Sequence, residues 1–154
     1  MGYTEYFEDG VVSSRPRMMG FQAAGAAPIV LGHPVHEPET VATAIRIGNP
    51  VSWKKAEAAR DESGGRIDSV TDEEIMAAYK MLAATEGVFA EPASAASIAG
   101  LRRLAEAGTI EAGASVVCTL TGHGLKDPHN AIKSCPDAVR VPADLDRVLE
   151  AMGV

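Results

Sequence analysis

The chain has 154 residues, of which 46% are hydrophobic and 23% are charged, and its formal net charge is −7. These values are ordinary for one globular unit that buries a core, so we treat residues 1–154 as a single unit. The acidic balance argues against a nucleic-acid partner, which would need a clustered basic face. No apolar run approaches about 18 residues and no signal peptide is visible, so we expect no membrane span and a cytoplasmic location.

The first part of the chain predicts one strand followed by helices. Residues 17–23 (RMMGFQA) form a plausible strand, and residues 25–31 are apolar and rich in alanine. Residues 40–47 predict a short helix that runs into a turn at 48–50, and residues 53–62 predict an amphipathic helix.

The middle of the chain carries clear signals for the start and the end of a helix. Thr71 and Glu74 form a capping box ahead of an apolar stripe, and Gly87 is placed to end that helix. A short, buried extended piece is expected at 88–90. Pro92 then suits the first turn of a second helix.

The last part of the chain alternates strands with helices. The helix that begins at Pro92 ends at Gly108, and the apolar residues 114–120 predict a buried strand. A further strand is expected at 138–141, with a final helix at 143–152. In chain order the pattern is strand, helices, strand, two helices, strand, turn, helix, strand, helix. This alternation predicts an α/β fold with three layers, in which helices flank a mainly parallel sheet.

The sequence gives little support for a metal site. Cys118 and Cys135 have no metal-binding or redox spacing, and we expect Cys118 to be a small core residue. His33 and His36 lie three positions apart without a second pair of ligands, so no metal is predicted.

The stretch 116–128, VVCTLTGHGLKDP, places hydroxyl groups at the end of an apolar run, directly before a Gly-His-Gly turn. The residues alone leave two interpretations open: an ordinary glycine turn, or the edge of a ligand site. A lone His123 in a turn is more often structural than catalytic, and a surface salt-bridge or turn role is expected for Lys126 because Asp127 is its neighbour. In a parallel sheet, ligands gather where strands end and helices begin, which favours the segments 91–97 and 119–124.

Five stretches taken together resemble the C-terminal part of threonine synthase, a pyridoxal-phosphate enzyme of the tryptophan synthase β-like fold. They keep the order and spacing of that family and cover nearly the whole chain, and "TGHGLKDP" with "EPASAA" is the most specific pair. The stretches are GYTEY (2–6), GFQAAGAAPIVLG (20–32), ATAIRIGNPVSW (42–53), GVFAEPASAASIAGL (87–101) and TLTGHGLKDP (119–128).

The resemblance implies roles for particular residues around a pyridoxal 5'-phosphate cofactor. The hydroxyl of Thr121 would bond the pyridine nitrogen, and Gly122 would let the backbone approach the ring. Gly48 is similar to a family glycine that passes close to the cofactor. Glu91 and Ser94 look like polar groups set behind the ring.

The chain also departs from the family pattern. The family's Schiff-base lysine lies in a Ser-x-Lys segment of an N-terminal domain, and none of the lysines here has those neighbours; they are Lys54, Lys55, Lys80, Lys126 and Lys133. No catalytic residue is therefore assigned. The resemblance implies an incomplete, C-terminal portion that is inactive alone and whose partner is the missing N-terminal half.

The complete enzyme that the resemblance implies converts O-phospho-L-homoserine and water to L-threonine and phosphate, and a homodimer is the family expectation. Two alternatives stay open. One is a fragment of a related pyridoxal-phosphate lyase, such as a threonine or serine dehydratase. The other is a non-catalytic module that keeps the fold.

Overall fold

The computed structural model describes residues 2–154, which form helices and a small sheet. Its helices are α1 (Gly2–Glu8), α2 (Pro28–Leu31), α3 (Trp53–Glu62), α4 (Asp72–Glu86), α5 (Pro92–Glu106), α6 (Pro128–Ser134) and α7 (Leu145–Met152). Its strands are β1 (Met19–Ala23) and β2 (Arg66–Val70), and short 3-10 turns lie at Ala24–Ala26, Thr43–Ile45 and Gly124–Lys126.

The two strands pair in parallel, from Met19 opposite Arg66 to Ala23 opposite Val70. A parallel pair needs a long crossover, which the intervening chain with α2 and α3 supplies. The predicted α/β class with a parallel sheet is therefore confirmed, although the sheet has two strands within residues 2–154.

The core lies where α4 and α5 pack on each other and against the sheet. Small side chains on α5 allow this close packing, and at Gly100 a Cβ atom would overlap the ring of Phe21. Ile75 is fully buried at the centre. The buried cluster consists of Ala23, Ala42, Val70, Ile75, Ala78, Tyr79, Ala95, Ala96 and Ala99.

The predicted boundaries of α4 and α5 are confirmed. The Thr71 hydroxyl accepts from the amide of Glu74 at 3.2 Å, and the Glu74 carboxylate accepts from the amide of Thr71 at 2.7 Å. Gly87 ends α4 with a φ of 66°, in the left-handed region that glycine adopts without strain. Pro92 occupies the first turn of α5 as expected.

The prediction of a buried strand at 114–120 is wrong. The segment carries no assigned strand, and Val116 and Val117 are 50% and 89% exposed. Cys118, expected in the core, is only half-buried. The apolar pattern indicates a preference for burial, but a strand forms only where a neighbouring strand supplies its hydrogen bonds, and residues 2–154 offer none here.

Three other local predictions also need correction. Residues 138–141 have no regular structure, and the helix expected at 40–47 is reduced to the 3-10 turn Thr43–Ile45. At 88–90 only Ala90 is buried, because Val88 and Phe89 each leave more than a third of their surface exposed. No bounds could be predicted for α1, β2 or α6, because they are too short to give a clear periodic signal in the sequence.

The helices of residues 2–154 are all too short or too polar to cross a membrane.

Candidate functional site

The structure brings two of the predicted segments together at the start of α5. The amide of Glu91 donates to the carbonyl of Gly122 at 2.9 Å, and the amide of Gly124 donates to the carbonyl of Phe89 at 2.9 Å. Ala90 and His123 form an antiparallel bridge between these bonds. The Gly-His-Gly turn is therefore fixed against the residues that lead into α5.

Two hydroxyl groups meet at this junction. The Ser94 side chain accepts from the amide of Gly122 at 2.9 Å, and its oxygen lies 3.4 Å from that of Thr121. Ser94 is 2% exposed, whereas Thr121 is exposed. A hydroxyl has one donor and two acceptor sites, so Thr121 keeps hydrogen-bonding capacity toward a ligand while Ser94 holds its position.

Glu91 is a buried carboxylate beside these hydroxyls. The residue is 2% exposed, and its Oε1 accepts from Nζ of Lys126 at 2.9 Å. A buried charge is costly unless it is paired, so this bond is what makes the position tolerable. Lys126 lies in the 3-10 turn with its side chain 59% exposed and forms an ion pair, as expected for a surface salt-bridge or turn role, but its partner is the buried Glu91. We call Glu91, Ser94, Thr121, Gly122 and Lys126 the α5 cluster.

Both glycines of the turn are needed because side-chain atoms of other residues lie where their Cβ atoms would be. A Cβ atom at Gly122 would overlap the carboxylate of Glu91, and one at Gly124 would overlap the ring of Phe89. Neither glycine has a positive φ, so conformational freedom is not the reason for glycine here. His123 packs edge-on against Phe89, with ring centroids 5.3 Å apart, and its Nδ1 accepts from the amide of Leu125 at 3.2 Å. These contacts give His123 a structural role in the turn.

Asp127 anchors the turn to a distant part of the chain. Its Oδ2 accepts from the hydroxyl of Thr43 at 3.1 Å and from the side-chain amide of Asn130 at 2.9 Å. The same Asn130 amide donates to the carbonyl of Val41 at 2.9 Å. Burial raises the pKa of Asp127, but the hydrogen bonds from Asn130 and Thr43 and the nearby His129 outweigh it, so its pKa lies below the usual value.

Gly48 is held by contacts within its own loop. Its carbonyl accepts from the amide of Val35 at 2.9 Å, and a Cβ atom at Gly48 would overlap the Val35 carbonyl. No hydrogen bond within residues 2–154 joins Gly48 to the cluster. Of the five residues predicted to surround a cofactor, the structure therefore brings together Glu91, Ser94, Thr121 and Gly122, and accounts for Gly48 by a contact with its own loop.

The anchoring roles of Lys126, Asp127 and Asn130 were not predicted from the sequence. A local signal was present for Asp127, since Asp followed by Pro128 is typical of a helix start, and its side chain accepts from the amide of Asn130 at 3.3 Å. No local signal points from Lys126 to Glu91, because 35 positions separate them.

The α5 cluster fits one edge of a heteroaromatic cofactor. It presents a neutral hydroxyl at the surface, backed by a second hydroxyl, while the adjacent carboxylate is already engaged by a lysine. Every fully buried side-chain nitrogen and oxygen within residues 2–154 has a partner, so the capacity left for a ligand lies in exposed groups such as Thr121. A hydroxyl of this kind can bond a ring nitrogen.

Comparison with known proteins places this cluster in a family context. The profile of the family described as pyridoxal-phosphate dependent enzyme matches residues 1–122. The threonine synthase of Mycobacterium leprae is 57% identical over 153 residues, covering 99% of this chain and 42% of that protein. The threonine synthase of a Synechocystis strain is 56% identical, covering 99% of this chain and 40% of that protein.

The chain thus spans about two fifths of the length of the curated relatives it matches. Within that span the identity exceeds one residue in two, and the profile match extends through Gly122, so it includes Glu91, Ser94 and Thr121. The expected resemblance is confirmed, and the chain belongs to the family of pyridoxal-phosphate dependent enzymes.

Proposed function

We propose that this chain is the C-terminal portion of a threonine synthase, which converts O-phospho-L-homoserine and water to L-threonine and phosphate. The proposal depends on one observation: four residues meet at the start of α5, namely Glu91, Ser94, Thr121 and Gly122. They do so in a chain that is 57% identical to a threonine synthase. The cytoplasmic location and the homodimer stay predictions.

In this proposal the α5 cluster holds the pyridine edge of the cofactor. The Thr121 hydroxyl bonds the ring nitrogen, and Ser94 fixes the turn by accepting from the amide of Gly122. Because Lys126 engages Glu91, the group offered to the ring is a neutral hydroxyl rather than a carboxylate. A neutral partner does not hold the nitrogen protonated as a carboxylate would.

When bound, pyridoxal phosphate supplies an electron sink for the carbanion formed on the substrate. The lysine that would bond the cofactor and move protons is proposed to lie in the part of the longer protein that this chain does not match. Lys126 does not take that role in the proposal, because its ammonium is committed to Glu91. The chain alone is therefore expected to be inactive.

The test is to co-express this chain with the unmatched part of the Mycobacterium leprae relative and to measure phosphate release from O-phospho-L-homoserine. Activity is expected from the pair and none from either part alone. Thr121→Val should lower kcat at least tenfold and should shift the absorbance of the bound cofactor, because the ring nitrogen loses its partner. Thr121→Ser should keep most of the activity.

Thr85→Val is the matched control, since the Thr85 hydroxyl bonds only the carbonyl of Met81 on the exposed face of α4. It should leave both readouts unchanged. An assembled, cofactor-loaded pair that releases no phosphate, or a Thr121→Val variant with an unchanged cofactor spectrum, would contradict the proposal.

A further inference from the structure

Residues 116–120 look like a strand in their side-chain burial. Cys118 and Leu120 are half-buried, whereas Val117 before them and Thr119 between them are exposed, and Val116 is 50% exposed. The alternation from residue 117 to residue 120 is typical of an extended chain with one face covered. Three of the five residues, Val116, Val117 and Thr119, are β-branched, which favours extended structure.

The covered face lies on α5. The thiol of Cys118 lies 4.0 Å from the carbonyl of Ser97, and Thr121 at the end of the segment contacts Ser94. Burial raises the pKa of the Cys118 thiol, which agrees with an inward-facing side chain. The segment is therefore held in place along its inner face.

The outer face and the two edges are open. Val117 is 89% exposed, and no backbone hydrogen bond between residues of the 2–154 range uses the amides or carbonyls of residues 115–120. An extended, apolar segment with free backbone groups is a template for pairing with another strand. Such pairing would satisfy the backbone and cover Val117 in one step.

We propose that residues 116–120 form the strand on which the remaining part of the longer protein docks. This inference rests on the proposed function. The relatives at 57% and 56% identity are more than twice as long as their matched part, so the unmatched part is large enough to supply a partner strand. The segment leads directly into Thr121, so the docked part comes to lie beside the α5 cluster.

The test is capture of this chain by the tagged, unmatched part of the Mycobacterium leprae relative during co-expression. Val117→Asp places a charge on the open face and should lower the captured amount at least tenfold. Val139→Asp adds the same charge at a valine that is 77% exposed and outside the segment, and it should change capture less than twofold.

The outcomes separate this inference from the proposed function. Equal capture of the two variants, or no capture of the unmodified chain, overturns the docking surface. A concentration-dependent dimer of this chain alone that Val117→Asp abolishes overturns it too, since the occupant is then a second copy. Capture that depends on Val117 without any phosphate release supports the docking surface while contradicting the proposed function.

Discussion

Residues 19–106 and residues 109–154 differ sharply in how they use apolar side chains. The first region holds the whole buried cluster, from Ala23 on β1 to Ala99 on α5. In the second region, Val117, Ile132 and Val139 are each at least 75% exposed. Both regions contain strongly apolar stretches, so composition is not what separates them.

The difference lies in the partners that each region finds. In the first region, β1 and β2 pair with each other, and α4 and α5 pack against them. In the second, the extended segment 116–120 has α5 on one face alone. An apolar sequence therefore indicates where burial would be favourable, and only a neighbouring element turns that preference into a core.

The largest expected change in stability comes from opening a cavity in the core of the first region. Ile75→Ala removes a fully buried side chain and should lower the free energy of unfolding by about 2–5 kcal/mol. Ile132→Ala, at a position 75% exposed, should change it by less than about 0.5 kcal/mol. Urea denaturation followed by circular dichroism measures both; similar losses would show that the two regions are equally well packed.

A smaller effect is expected at the ion pair that joins the regions. Lys126→Met leaves the buried carboxylate of Glu91 without its partner and should cost about 1–3 kcal/mol. Lys126→Arg should recover most of that loss. The exposed pair Arg102–Glu106 is the control, because Arg102→Met should cost less than about 1 kcal/mol. Equal losses at the two sites would mean that burial of Glu91 has no energetic weight.

The smallest effect concerns the pH dependence of the anchor at Asp127. Its pKa is lower in the folded state than in the unfolded chain, so its contribution is present above the unfolded pKa and is lost as pH falls through the folded pKa. Asp127→Asn should therefore lower the free energy of unfolding by about 1–2 kcal/mol at neutral pH. The variant should also lose less stability than the unmodified chain as the pH falls, because it lacks this carboxylate.

Thermal unfolding of both proteins between pH 7 and about pH 3 would measure this, since the unfolded carboxyl titrates near 3.9. Thr85→Val is the control and should not change the pH profile, because the Thr85 side chain is exposed and does not titrate. A profile that Asp127→Asn leaves unaltered would show that the hydrogen bonds from Thr43 and Asn130 do not stabilise the charged form.

Much of the helical structure could be predicted because its causes are local. The capping box at Thr71, Gly87 at the end of α4 and Pro92 at the start of α5 act within one turn of the chain. The site around Thr121 was predicted in a different way, through the resemblance of TGHGLKDP and EPASAA to a family, because the residues alone left its role open. Strand 114–120 could not be judged in this way, because its pairing depends on residues elsewhere.

For the candidate site, the sequence by itself determined the membership of Glu91, Ser94, Thr121 and Gly122, through their resemblance to a family. Only the tertiary structure decided that Lys126 pairs with Glu91, that Asp127 bonds Thr43, and that Gly48 packs against the carbonyl of Val35. The physical reason is distance along the chain: caps and turns are set by neighbouring residues, whereas these bonds join residues 35 and 84 positions apart that meet only after the helices pack.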